Sequence, residues 1–264
     1  MSRIKQKFDA LRDANQKGLV TFITAGDPDT AKSLAVLKSL PDAGADFIEI
    51  GMPFTDPMAD GPAIQDSSLR ALENGMSIKG VLDMVRTFRA NNTQTPIILM
   101  GYFNPIYQYG CTSFAKDAAN AGADGLIIVD LPPEEDAELR IPATNAGLDF
   151  IKLVTPTTKG ERLKTVLNNA SGFIYYVSIA GVTGTKSADT EAVGAHIQEI
   201  KTITDIPVAV GFGIKTPEDA ANMSKIADGV VVGSAIVNNM FDNKASTELP
   251  DMISKQVKAL KSAI

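Results

Sequence analysis

Two acidic side chains, Glu49 and Asp60, are the strongest candidates for catalysis in this chain of 264 residues. Glu49 interrupts the apolar segment 47–50, and strand alternation places its side chain on the same face as Phe47. A carboxyl group that faces a protein interior is poorly solvated, so its pKa should rise into the range suited to proton transfer near neutral pH. Asp60 follows among turn residues as a second acid. We therefore predict that Glu49 is catalytic rather than part of a structural ion pair.

Other polar residues are weaker candidates. Asp56 lies in a Thr-Asp-Pro segment typical of a turn, and Asp130 either takes part in catalysis or caps the following loop. Lys152 interrupts an apolar run, where a lysine could form a Schiff base, although an ion pair is the favoured interpretation. His196 lies in a predicted helix and is expected to pack there. Since the chain has one histidine and one cysteine, Cys111, His-dependent triads and zinc sites are almost excluded and no metal is predicted.

Glycine-rich segments follow three successive predicted strands, at residues 181–184, 211–214 and 233–235. Backbone N–H groups in such loops, together with a helix N-terminus, can bind an anion without lysine or arginine. A single glycine pair indicates only a tight turn, but three of them in these positions predict a phosphate site. The small and polar residues of 181–190 are also compatible with either a flexible lid or an ordinary surface loop.

Three aromatic residues lie at or near predicted strand ends. Phe22 and Phe212 end the first and seventh strands, and Tyr175 lies in the sixth. They either wall a pocket for an aromatic substrate or, as the default, pack in the core.

The elements that must position these residues are eight short apolar runs, each followed by turn residues and a helical pattern. The runs are continuous rather than alternating, as in parallel strands that are covered on both faces. They recur at an average of about 33 residues, a normal length for one βα unit. We predict a single (β/α)8 TIM barrel over residues 1–264, with a doubly wound open sheet as the alternative. The predicted strands are 19–24, 47–50, 97–100, 126–129, 150–154, 173–178, 208–210 and 229–232.

Helix signals agree with this architecture. Ile4, Phe8 and Leu11 share one face of segment 2–14, which predicts an extra N-terminal helix over the bottom of the barrel. Asp27 and Thr216 each precede a proline and are expected to cap helices.

Composition limits the function classes. The net charge of −6 is the opposite of what a nucleic-acid or anionic-membrane binder would show, so neither partner is predicted. One cysteine cannot form an internal disulfide, which indicates a reducing compartment. The first eight residues contain Arg3, Lys5 and Lys7 and no apolar run, so no signal peptide is expected, and no apolar run elsewhere is long enough to span a membrane. We therefore expect a soluble cytoplasmic protein.

Several motifs together closely resemble the tryptophan synthase alpha chain family, in the same order and over essentially the whole chain. The most specific is the block from Glu49 to Gln65, Glu-Ile-Gly-Met-Pro-Phe-Thr-Asp-Pro-Met-Ala-Asp-Gly-Pro-Ala-Ile-Gln. The others are Phe22-Ile-Thr-Ala-Gly-Asp-Pro28, Gly101-Tyr-Phe-Asn-Pro105, Asp130-Leu-Pro132, Gly181-Val-Thr-Gly184, Gly211-Phe-Gly-Ile214 and Gly233-Ser-Ala-Ile-Val237. The glycine motifs alone would indicate only a phosphate-binding barrel.

The resemblance implies a lyase of L-tryptophan biosynthesis that cleaves indole-3-glycerol phosphate to indole and glyceraldehyde 3-phosphate. It implies no metal or organic cofactor on this chain, and transfer of indole to a pyridoxal-phosphate-containing beta chain in an α2β2 complex. By position, Glu49 would be the acid and base, and Asp60 would stabilise charge on the indole nitrogen. The implied substrate-binding residues are Phe22, Met100, Tyr175 and Phe212 around the ring, Gly184, Gly213, Gly233 and Ser234 at the phosphate, and Thr183.

The resemblance also places partner docking on loops 53–60, 104–110 and 130–135, where Phe54, Ile106, Tyr107 and Tyr109 look exposed and apolar. Three alternatives for function remain open at this stage. They are a Schiff-base aldolase that uses Lys152, a phosphosugar isomerase on the same barrel, and a noncatalytic regulator that binds a phosphate ligand.

Overall fold

Eight parallel strands close into a barrel in the order β1-β2-β3-β4-β5-β6-β7-β8. The computed structural model describes residues 2–178, 190–211 and 213–264. Closure is made by β8 and β1, whose pairing begins with Gly229 opposite Gly18. The predicted barrel is confirmed, the open sheet is wrong, and each strand boundary lies within one residue of its predicted position. The strands are β1 Gly18–Thr24, β2 Phe47–Gly51, β3 Ile97–Gly101, β4 Gly125–Ile128, β5 Asp149–Val154, β6 Ile174–Val177, β7 Val208–Gly211 and β8 Gly229–Val232.

Helices surround the barrel, and every strand is followed by at least one. Two helices instead of one follow β2, β3 and β8. In the described ranges no helix is long and apolar enough to cross a bilayer. The helices are α1 Arg3–Asp13, α2 Thr30–Ser39, α3 Pro62–Glu73, α4 Ile78–Arg89, α5 Phe103–Tyr109, α6 Cys111–Ala121, α7 Ala137–Asn145, α8 Gly160–Leu167, α9 Thr190–Ile203, α10 Pro217–Ser224, α11 Ser234–Asp242 and α12 Leu249–Ser262.

The N-terminal helix α1 closes the bottom of the barrel, as predicted. Its buried residues Ile4, Phe8 and Leu11 belong to the same apolar cluster as the inward-facing side chains of the strands. The Phe8 ring stacks on Phe47 with 4.3 Å between centroids and lies 5.8 Å from Phe173. The barrel interior at the α1 end is therefore filled by side chains.

Aspartates at the start of three even-numbered strands fix the barrel at its bottom edge. In each case the backbone N–H of the aspartate donates to a carbonyl of the preceding strand, and its carboxylate accepts the N–H of that same residue. Such paired hydrogen bonds set the register between neighbouring strands. The pairs are Asp46 with Leu19, Asp124 with Ile97, and Asp228 with Val208.

One of the two predicted helix caps is wrong. Helix α2 begins at Thr30 and is capped by Asp29, whereas Asp27 is 1% exposed and binds Arg70 through two hydrogen bonds of 2.7 and 3.0 Å. An aspartate before a proline has the local sequence pattern of a helix cap. Here, however, the guanidinium of Arg70 from α3 binds its carboxylate instead. The cap at Thr216 is confirmed, as part of a complete capping box at α10.

Candidate active site

Glu49 is the third residue of β2 and lies opposite Phe22 of β1. Its neighbours Ile48 and Ile50 pack between the sheet and the helices, while Phe47 joins the interior cluster, so the alternation predicted for this strand is present. Glu49 is fully buried, and neither carboxyl oxygen has a hydrogen-bond partner among the described residues.

The isolation of Glu49 determines its protonation. Burial without a compensating charge disfavours the carboxylate and raises the pKa of Glu49 to about 8. The side chain therefore carries a proton at neutral pH. A structural ion pair would have lowered this pKa, so the surroundings of Glu49 are those of a general acid.

Asp60 is held in a different environment, in the half-buried loop between β2 and α3. The hydroxyl of Tyr102 donates a hydrogen bond of 3.0 Å to Oδ2 of Asp60 and accepts the N–H of Ala59 at 3.1 Å. Burial raises the pKa of Asp60, and the bond from Tyr102 opposes that rise by stabilising the carboxylate. Tyr102 was not among the predicted site residues, although the Gly101–Pro105 motif contains it.

A pocket at the carboxyl ends of the strands contains both acids. Predictions for Thr183, Gly184 and Phe212, and for a lid at 181–189, lie outside the described residues. All eight other predicted site residues line the pocket: Phe22, Glu49, Asp60, Met100, Tyr175, Gly213, Gly233 and Ser234. Further lining residues are Gly61, Ile64, Ile214, Lys215 and Val231.

The two aromatic walls depend on glycines of the neighbouring strands. A Cβ atom on Gly51 would lie 2.6 Å from the ring of Phe22, and one on Gly211 would lie 2.3 Å from the hydroxyl oxygen of Tyr175. Neither distance is possible for a real side chain, so both positions require glycine if the rings are to stay in place. Gly211 was grouped with the phosphate glycines, but in the structure it makes room for Tyr175.

The pocket lining also contains the N-terminus of a helix. Helix α11 begins at Ser234, and its N-cap Gly233 has no side chain that could bind the first N–H groups. The N–H of Ile236 donates to the carbonyl of Gly233, whereas those of Ser234 and Ala235 precede the first acceptors of the helix, and the helix dipole adds partial positive charge there. At the neighbouring helix α10, by contrast, Thr216 and Asp219 already occupy the equivalent groups. The N-terminus of α11 is therefore the one suited to an anion.

Lys152 lies away from this pocket. It alternates with inward-facing Ile151 and packs between the sheet and the helices, 4% exposed, with its Nζ 4.7 Å from the centre of the Phe150 ring. Its ammonium forms an ion pair with buried Asp136. The structure therefore supports the ion-pair interpretation. Lys152 is not among the residues that line the pocket, so its position does not support a Schiff base with a ligand there.

Two other polar candidates have structural roles. His196 is buried on α9 and makes hydrogen bonds to the hydroxyl of Tyr176 at 3.1 Å and the carbonyl oxygen of Thr158 at 3.0 Å. Because a carbonyl only accepts, Nε2 carries the proton and Nδ1 accepts from the tyrosine. Asp130 accepts the N–H of Phe103 at 2.8 Å and so caps the start of α5.

The predicted docking loops are only partly as expected. Residues Phe103–Tyr109 form helix α5 rather than a loop, and Ile106 is fully buried on its inner face. Tyr109 is half-buried, with its hydroxyl bound to a carboxylate at 2.7 Å, and Phe54 is also half-buried. Tyr107 is 53% exposed, as predicted. Because α5 is a helix, consecutive side chains point in different directions. Ile106 therefore faces the core while Tyr107 faces solvent.

The chain has close relatives of known structure. The sequence model of the tryptophan synthase alpha chain family matches residues 8–263. The crystal structure of tryptophan synthase subunit alpha from Legionella pneumophila is 41% identical, with 100% of this chain and 98% of that one covered and a TM-score of 0.93. A structure from Aquifex aeolicus is 37% identical, with 100% and 99% covered and a TM-score of 0.91. Tryptophan synthase from M. tuberculosis, in its aminoacrylate-bound form, is 32% identical, with 100% of both chains covered and a TM-score of 0.89.

Proposed function

This chain belongs to the tryptophan synthase alpha chain family, and from that premise we propose that it cleaves indole-3-glycerol phosphate to indole and glyceraldehyde 3-phosphate. The resemblance inferred from the motifs is thereby confirmed at the level of the family. The observation that carries the proposal for the reaction is the buried Glu49, whose carboxyl group has no hydrogen-bond partner among the described residues, in a pocket also lined by Phe22, Tyr175 and the N-terminus of α11.

Glu49 acts as both the general acid and the general base of the cleavage. The neutral carboxyl group donates its proton to C3 of the indole, and the ring becomes a cationic electron acceptor. The resulting carboxylate takes the proton of the adjacent glycerol hydroxyl while the carbon–carbon bond breaks. The electron pair of the broken carbon–carbon bond returns to the ring, which leaves as indole. The carbon that carried the hydroxyl becomes the aldehyde, and Glu49 is again protonated. A pKa of about 8 means that Glu49 holds the proton needed for the first step at neutral pH and that its carboxylate, once formed, readily accepts a proton in the second.

Asp60 stabilises the positive charge that develops on the indole nitrogen. Its carboxylate can accept the ring N–H as a charge-assisted hydrogen bond. The bond of 3.0 Å from Tyr102 holds Asp60 in place and favours its carboxylate form, against the burial that raises the pKa of Asp60. Two acids in unlike environments thus divide the proton donor and the electrostatic role between them.

The remaining pocket residues position the substrate. Phe22, Met100 and Tyr175 surround the ring, while Gly213, Gly233 and Ser234 bind the phosphate through N–H groups and the serine hydroxyl. Thr183, Gly184 and Phe212 remain predicted substrate contacts.

Substitution of Glu49 by Gln tests the reaction. The amide cannot donate and recover a proton, so indole release should fall by about 1,000-fold or more, in the upper part of the range typical for general acid–base catalysis because one group performs two transfers. The affinity for inorganic phosphate and the fold should stay unchanged. Glu73→Gln is the control, since it removes an exposed acid from the end of α3. Near-normal turnover by the Glu49 variant would rule out the mechanism, and a borohydride-trapped adduct on Lys152 would favour the aldolase instead.

A beta chain is proposed as the partner, in an α2β2 complex, with indole as the transferred product. Tyr107 and Met58 support a docking face beside the pocket mouth, because they are 53% and 76% exposed and both are large and apolar. A Tyr107→Glu variant should keep its phosphate affinity and lose most of the activation seen when a beta chain is added. Equal activation of both proteins would contradict docking at Tyr107.

A further inference from the structure

Lys215 is the cationic residue among the described residues that line the active-site pocket. It follows Gly213 and Ile214 after β7 and immediately precedes Thr216, the N-cap of α10. It shares the pocket lining with Gly213, Gly233 and Ser234, and the last two form the N-terminus of α11.

The backbone at this position is fixed while the side chain is available. The N–H groups of Lys215 and Thr216 both donate to Oδ2 of Asp219, at 3.1 and 3.0 Å, and Ile214 is buried beside them. Lys215 itself is exposed, and its ammonium makes no ion pair with any residue in the described part of the chain. The carboxylate of Asp219, four residues further along the chain, is already engaged by these two backbone donors.

Charge balance gives this lysine a specific task. The chain has a net charge of −6, and the second acid of the site, Asp60, lies in the same pocket. A phosphate ester brings about −1.5 to −2 further charges. Backbone N–H groups and a helix dipole supply only about half a positive charge, whereas an ammonium supplies a full one.

We propose that the Lys215 ammonium binds the phosphate group and selects phosphorylated over unphosphorylated ligands. It thereby orients the substrate with its phosphate at α11 and its ring toward Glu49. This inference rests on the proposed function for the identity of the ligand. The chemistry that it requires is only a phosphate within reach of a flexible cation and the α11 N-terminus.

Binding measurements test the proposal without turnover. The dissociation constants of inorganic phosphate and of indole are measured by calorimetry for the full chain, for Lys215→Gln and for Lys215→Arg. Lys225→Gln is the matched control, because it removes an exposed lysine from the other end of α10. Loss of one charge-assisted contact should weaken phosphate binding about tenfold in Lys215→Gln and leave indole binding within about twofold. Lys215→Arg should stay within about threefold of the parent, and the salt dependence should be smaller in the Gln variant.

Two results would overturn the proposal. One is unchanged phosphate affinity in Lys215→Gln, or no phosphate binding by the parent chain. The other is an equal loss of phosphate and indole binding, which would mean that the loop has loosened. A failure of the proposed reaction is distinguishable from both. A parent chain that releases no indole, but loses phosphate affinity only on Lys215→Gln, would retain the anion site without the lyase.

Discussion

The hydroxyl of Tyr102 lies 3.0 Å from Oδ2 of Asp60 and donates a hydrogen bond to it. The two residues are 42 positions apart, on the loops after β3 and β2, and strand pairing brings them together. This bond makes the electrostatic surroundings of Asp60 different from those of Glu49, whose carboxyl group has no hydrogen-bond partner among the described residues.

Removal of the Tyr102 hydroxyl should shift the pH dependence of the reaction. In Tyr102→Phe the carboxylate of Asp60 loses a stabilising bond, so its pKa should rise further above the ordinary value. The acid limb of kcat/KM should then move to higher pH, with a fall of about three- to tenfold at neutral pH. Tyr109→Phe is the control, because it removes a hydroxyl that binds a carboxylate at 2.7 Å outside the pocket. An acid limb at the same pH in both variants would contradict the role given to Tyr102.

Glu49 should make the stability of the fold depend on pH. Its pKa is about 8 in the folded state against an ordinary value of 4.5, so between these values the unfolded chain releases a proton that the folded chain retains. Stability should therefore fall as pH rises from about 4.5 to 8, because the unfolded state binds fewer protons in this range, and it should level off above pH 8, where Glu49 is deprotonated in both states. The Gln variant lacks this loss and should gain roughly 2–5 kcal/mol relative to the parent chain across the window.

Urea unfolding of the parent chain and of Glu49→Gln at pH 5, 7 and 9 measures this difference. Glu73→Gln should follow the parent at every pH, because its carboxylate is solvated in both states. A constant gap between parent and Glu49→Gln over this range would show that Glu49 titrates normally.

A methyl group at Gly211 should distort the substrate pocket. The new Cβ would lie 2.3 Å from the Tyr175 hydroxyl oxygen, so the ring or β7 must move. We expect a loss of about 1–3 kcal/mol of stability and a rise in KM of tenfold or more. Gly61→Ala is the control, because Gly61 also lines the pocket, has a φ of −73° and would place its Cβ more than 4 Å from any neighbour. Similar kinetics for the two variants would show that the approach to Tyr175 is unimportant.

Arg70 should stabilise the packing of the elements around the site rather than bind substrate. It pairs with buried Asp27 through two hydrogen bonds, and its guanidinium carbon lies 4.0 Å from the centre of the Phe241 ring. These contacts join α3, which follows Asp60, to the β1–α2 loop and to α11. Arg70→Met should cost about 2–4 kcal/mol, because it leaves a buried carboxylate without its cation.

Denaturant unfolding checks the prediction for Arg70. Pairing the substitution with Asp27→Asn should recover part of the loss, since the uncompensated charge is then absent. Full additivity of the two substitutions would mean that the pair does not interact.

The sequence alone was sufficient for the barrel, the family and the face on which Glu49 lies. Continuous apolar runs and a side-chain period of two are local properties, so they survive without knowledge of which strands are neighbours. They located the eight strands, placed Glu49 with Phe47 in the interior, and put α1 against the barrel bottom.

Only the tertiary structure decided how each acid is solvated and which groups it meets. The isolation of Glu49, the bond from Tyr102 to Asp60, the space that Gly211 leaves for Tyr175 and the pairing of Asp27 with Arg70 all join residues from different βα units. Such contacts depend on strand register and on the closure of the sheet. The burial of a carboxyl group, and with it its pKa, is a property of all the surrounding elements together and is not encoded within any one segment.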